Sequence, residues 1–175
     1  MTIVVEDGTA KADAEAYCTV AEATAYHAAL GNAAWAALLT DAVREQCLRK
    51  AANFMTGRFR ARWNGSRKTT TQSLDWPRSL VLIKDSPNGY GSSASYYSDS
   101  VVPNEVKNAC ASLALRAATA DLLADETRAK LSVSVGPIST TYDPNSSSAK
   151  QYKEVDAMLA PYLKADGGRI TMVRV

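Results

Sequence analysis

The stretch from Pro103 to Ala124 leaves this chain few architectures to choose from. Val106, Cys110, Leu113 and Ala117 make one apolar row at helical spacing, and Ala111, Leu115, Ala118 and Leu122 make another. Asn108, Ser112, Arg116 and Thr119 form a polar stripe, and it is narrow. A helix apolar over most of its circumference must be covered by other elements, so it belongs at the centre of a bundle. Pro103 suits its first turn, where the N–H it lacks would have no partner anyway. The pattern predicts the longest helix of the chain, and its core.

The covering elements can be read on either side. Thr19 followed by Glu22 fits a capping box, opening a helix through Ala21, Ala25, Tyr26 and Leu30 that stops at Gly31-Asn32. Trp35, Leu38 and Leu39 are expected to pack a short turn against it. A second helix runs from near Thr40 to about Thr56, with Val43, Cys47, Ala51 and Phe54 at helical spacing and Gly57 as its end. A last one starts near Ala149, buries Tyr152, Val155, Met158, Leu159 and Tyr162, and is ended or kinked by Pro161. LSVSV and ISTTY, at a period of two around Gly136-Pro137, predict a short hairpin. Ile3-Val4-Val5 suggests one further strand. At 175 residues and 46% hydrophobic, the chain suffices for one domain with a sizeable core. The expected fold is mainly α: a small bundle of about four helices with a short β-hairpin and extended loop and tail arms.

Three segments are left over. The first, within residues 57–79, reads GRFRARWNGSRKTTTQSLDWPR. Its first half carries Arg58, Arg60, Arg62, Arg67 and Lys68 without an acidic residue, and Arg78 closes it. These six cations are candidate contacts for DNA or a neighbouring subunit, since the net charge of only +2 means any electrostatic partner is met locally. Phe59, Trp63 and Trp76 have two uses: anchors at an interface, or a cap on the bundle's own core. The second segment, 84–100, is rich in Ser, Gly and Tyr and reads as a loop, either a solvated insertion or a contact surface through Tyr90, Tyr96 and Tyr97. The third, 167–175, is an arm after Gly167-Gly168. Its Arg169, Ile170, Met172, Val173 and Val175 are expected to dock on a partner, with pairing to the chain's own Leu131–Val135 stretch as the alternative.

Catalytic signatures are not legible. His27 is the sole histidine, set in a helix, and reads as structural. Cys18, Cys47 and Cys110 are far apart in alanine-rich helical contexts, so buried free thiols are expected rather than disulfides or a metal site. No nucleophile elbow, phosphate loop or dinucleotide fingerprint occurs. The expectation is a non-enzyme without catalytic residues, metal or cofactor. No run of about eighteen apolar residues predicts a membrane span, and MTIVVEDG does not resemble a secretory signal.

The ordered combination RFRARWNGSRK, LDWPRS, VPNEVKNA, VGPISTTY and YKEVDAMLAPYL resembles the head-tail connector adaptors of tailed bacteriophages, over roughly Tyr17 to the C-terminus. The resemblance implies a homo-oligomeric, dodecameric ring below the portal protein, extending the DNA channel and offering a platform to a tail or stopper (completion) protein. It places the chain at the capsid-tail junction of the virion, after assembly in the host cytoplasm. Arg58, Arg60, Arg62, Arg67, Lys68 and Arg78 would then line the channel, in sequence-independent contact with genomic double-stranded DNA, or pair with a neighbour. The portal's outer rim would receive the 169–175 arm. Some members of this family carry the label of single-stranded-DNA-binding protein of the primosomal DnaT type. That label supplies the alternative expectation, and basic residues interleaved with aromatics suit the stacking of unpaired bases.

Overall fold

Thr19 opens the first helix as the capping pattern predicts. Its hydroxyl accepts from the Glu22 amide while the Glu22 carboxylate accepts from the Thr19 amide, and α1 (Val20–Ala29) follows. The computed structural model describes residues 2–87, 95–123, 132–135, 138–141 and 150–164, the two segments between 132 and 141 by their backbone alone. After α1 come a single turn, α2 (Ala33–Ala36), then α3 (Asp41–Phe59), β1 (Ser66–Arg67), β2 (Arg78–Ser79), α4 (Asn104–Ala117), β3 (Ser132–Val135), β4 (Ile138–Thr141) and α5 (Lys153–Leu159), with a 3-10 turn over Ala160–Tyr162 closing α5 at Pro161. The fold is mainly α, five helices among the described residues with the expected antiparallel hairpin, Val135 facing Ile138 across β3 and β4.

The core forms where α3 and α4 pack along each other, with α1 and α5 laid against α4. Alanines 109, 111, 114 and 117 on α4 and 51 and 52 on α3 are all buried, and their small side chains let the helices approach closely. Leu48, Met55, Val106 and Leu113 fill the space between. Cys18, Cys47 and Cys110 are free and buried, as their surroundings suggested.

Two boundaries differ from the sequence expectation. The central helix spans 14 residues rather than reaching Ala124, and α3, with 19, is the longest among the described residues. After Ala117 the chain tightens, the Arg116 carbonyl accepting from the Thr119 amide and hydroxyl as well as from the Ala120 amide. Nor does Gly57 end α3. A glycine inside a helix costs about 1 kcal/mol, and burial of Phe59 one half-turn later outweighs that. The N-terminal strand reduces to one parallel bridge, Val5 with Ala16. Residues 88–94 of the Ser/Tyr loop and the arm at 167–175, including Arg169, Ile170, Met172, Val173 and Val175, lie outside the described residues.

Candidate nucleic-acid interface

The basic segment is built largely into the body of the protein. From the end of α3 the chain turns through Trp63, runs out along β1, and returns as β2 with Ser66 facing Ser79 and Arg67 facing Arg78. Gly65 makes the turn at φ +65°; a Cβ there would lie 2.2 Å from the Ser79 carbonyl oxygen, so only glycine fits. The Trp76–Pro77 bond is cis.

Phe59, Trp63 and Trp76 are buried, which corrects the interface-anchor expectation in favour of the core-cap alternative. Their rings belong to a continuous aromatic chain: Phe59 to Trp63 at 6.0 Å, Trp63 to Trp76 at 5.8 Å, Trp76 to Tyr162 at 5.5 Å and Tyr162 to Tyr97 at 5.0 Å. The edge-to-face contacts of Trp76 with Trp63 and Tyr162 add to the large apolar area each ring removes from water. Three aromatics interleaved with arginines therefore signalled an extension of the bundle's own core.

The cations divide into spent and available. Arg78 is buried, and its guanidinium donates to the carbonyls of Asn64 (2.8 Å), Asp75 (3.1 Å) and Gly65 (2.9 Å), which braces the fold from within. Burial pulls its pKa below the usual arginine value. Arg60 donates through Nε to the fully buried Asp75 carboxylate at 2.8 Å, and Trp63 donates its indole N–H to the other oxygen of that carboxylate at 3.3 Å. Arg67 donates to the Gln72 carbonyl, and Lys68 lies 3.5 Å from the Gly8 carbonyl and 4.0 Å from Asp99, yet both remain largely exposed. Arg58, on the last turn of α3, has no hydrogen-bonded or ionic partner among the described residues. Sequence spacing grouped the six as one patch, whereas the ladder of β1 and β2 turns Arg78 inward.

A different cationic junction appears on the surface, and two of its members escaped the sequence reading. Trp63 and Leu163 form an antiparallel bridge, and the Lys164 amide donates to the Arg62 carbonyl at 2.7 Å. Lys84 reaches in from the 84–100 segment, its ammonium 3.3 Å from the Leu163 carbonyl, which also accepts from the Asn64 side chain at 3.1 Å. The backbones of Arg62 and Lys164 and the ammonium of Lys84 thus meet around Leu163, while the Arg62 guanidinium carbon lies 6.0 Å from the Phe59 ring centre. Among the described residues neither lysine is paired with a carboxylate. No local signal could have found this junction, because it joins segments some 100 residues apart, as the Asn64–Leu163 separation of 99 shows.

Beside the junction lies a short ribbon. The Ile83 amide donates to the Ser95 carbonyl and the Tyr97 amide to the Val81 carbonyl, both at 2.9 Å, leaving Leu82 opposite Tyr96. Val81 is buried and Tyr97 packs on Tyr162, so that face looks inward. Leu82 and Tyr96 alternate to the other side. Tyr96 is 51% exposed, the one aromatic among the exposed large apolar side chains of the described residues. Those residues contain no cluster of histidine, cysteine and carboxylates able to hold a metal ion, and no helix long and apolar enough to cross a membrane.

No curated protein and no solved structure matches the chain. The comparisons lend no support to a phage connector or to portal and tail partners. A family model, described as "Putative DnaT-like ssDNA binding protein", matches residues 1–175. The match runs the whole length of the chain, which therefore belongs to that DnaT-like family.

Proposed function

We propose that the protein is a non-catalytic, single-stranded-DNA-binding module that meets its ligand at the junction of Arg62, Lys84 and Lys164. One observation carries this reading: Lys84 and Lys164, from segments remote in sequence, are brought together around Leu163 where the chain also passes Arg62, and neither lysine has a carboxylate partner among the described residues. Such a group is stabilised by the phosphates of a polyanion, with release of the counterions those phosphates held. The family description supports DNA as that polyanion. Phosphate contacts fix position without reading bases, so binding is expected to be independent of sequence. With a net charge of only +2, the protein as a whole adds little long-range attraction, and affinity depends on this local group.

The test is a fluorescence-anisotropy titration of a labelled oligo(dT) strand, followed by competition with unlabelled single strands of mixed sequence and with duplex. The reading expects saturable binding at low salt, displaced about equally by single strands of any sequence and less well by duplex. Absence of binding at low salt would remove it.

A further inference from the structure

Resting on the single-stranded-DNA reading, we infer that Tyr96 is the ring on which an unpaired base stacks, and hence the residue that makes this surface prefer single strands to duplex. The bonds flanking Leu82 and Tyr96 make them a non-hydrogen-bonded antiparallel pair, the kind whose side chains stand closest, so Leu82 supports one side of the phenol ring. Tyr97 and Val81 hold the ribbon to the core from beneath, which fixes the ring's backbone while leaving the ring 51% exposed. Lys84 follows Leu82 by two residues, in the turn that leaves the ribbon, and its ammonium sits 3.3 Å from the Leu163 carbonyl, at the junction. One short ribbon and the turn that leaves it thus carry an exposed ring and a cation without a carboxylate partner, the pairing that single-strand binders use.

The aromatics that the sequence offered for this task are unavailable for it. Phe59, Trp63 and Trp76 are packed ring against ring inside the body and present no face to a ligand. Duplex DNA encloses its base faces, so Tyr96 gains nothing from it, while the lysines bind phosphate in either form. Selectivity then resides in Tyr96 and overall affinity in Lys84 and Lys164.

Three variants, Tyr96→Ala, Tyr96→Phe and Lys84→Ala, would be titrated against oligo(dT) and against a duplex of equal length, each variant first checked for an unchanged melt. Loss of one stacked base is expected to weaken single-strand binding about tenfold in Tyr96→Ala, with duplex binding unchanged and Tyr96→Phe close to the wild type. Lys84→Ala is expected to weaken both ligands. Photocrosslinking of wild-type protein to a strand carrying 5-iodouracil should label Tyr96. A wild type that binds single strands while Tyr96→Ala binds them equally well, with crosslinks elsewhere, overturns this inference and leaves the DNA reading standing. A wild type that binds no single strand overturns both.

Discussion

Replacing Arg78 by methionine separates a structural arginine from a DNA-binding one. The wild-type guanidinium donates to three backbone carbonyls, Asn64, Gly65 and Asp75, from a buried position. Hydrogen bonds from a charged donor contribute about 1.5–3 kcal/mol each, so the three amount to roughly 4.5–9 kcal/mol before opposing terms. Burying the guanidinium costs several kcal/mol, which methionine avoids, and methionine keeps most of the packed volume. The carbonyls it leaves unpaired keep the balance unfavourable, at about 3 kcal/mol. For a chain of this size that lowers Tm by roughly 6–12 °C. Arg78→Lys should fall between, because an ammonium cannot fork to three separated carbonyls. The assay is thermal melting by far-ultraviolet circular dichroism, paired with a DNA titration well below the melt. An Arg78→Met protein that melts like the wild type but has lost DNA binding would refute the reasoning.

Trp63→Ala removes a buried ring that touches Phe59 and Trp76 and satisfies Asp75. A loss of about 4 kcal/mol is expected, read as a lower midpoint in urea denaturation. His27 is buried with Nε2 3.0 Å from the Ala111 carbonyl and Nδ1 3.1 Å from the Asn32 amide nitrogen, and desolvation lowers its pKa from 6.5. Its folded value lies below its unfolded one, so the unfolded chain binds the extra proton, and this contribution to stability is complete above pH 6.5 and lost as pH falls through the folded value. Melts between pH 7.5 and 5.5 should show the decline, and His27→Gln should flatten it. Glu15 acts in a separate window, since its bond from Arg49 holds it below 4.5 and its contribution disappears only in stronger acid.

Much of the helical framework is legible because its signals are local. The Thr19–Glu22 box, the Thr40 cap and Pro161 each act within a turn of themselves, and each marks its boundary in the structure. The apolar rows of α4 likewise identify its buried faces, although the helix ends at Ala117, short of the expected Ala124. The basic segment misleads for a physical reason. Charge and aromaticity say that a side chain needs a partner but not whether the partner is internal. Arg60 finds Asp75, and Arg78 finds three carbonyls that exist only once β1 and β2 have paired. The junction at Leu163 depends on contacts between segments distant in the chain, so spacing carries no trace of it. Tyr96 could be noticed as one tyrosine in a Ser-rich loop, but its outward direction follows only from the register with Leu82.

The salt dependence of single-strand binding, compared between the wild type and Lys84→Ala/Lys164→Ala, tests the central claim most directly. Each phosphate contact on a single strand contributes about 0.7 to the slope of log K against log salt. If both lysines meet phosphate, the double variant should bind more weakly at low salt and show a slope shallower by about 1.4. Arg60→Ala, whose guanidinium is committed to Asp75, should leave that slope at the wild-type value. An unchanged slope and affinity in the double lysine variant would contradict the account.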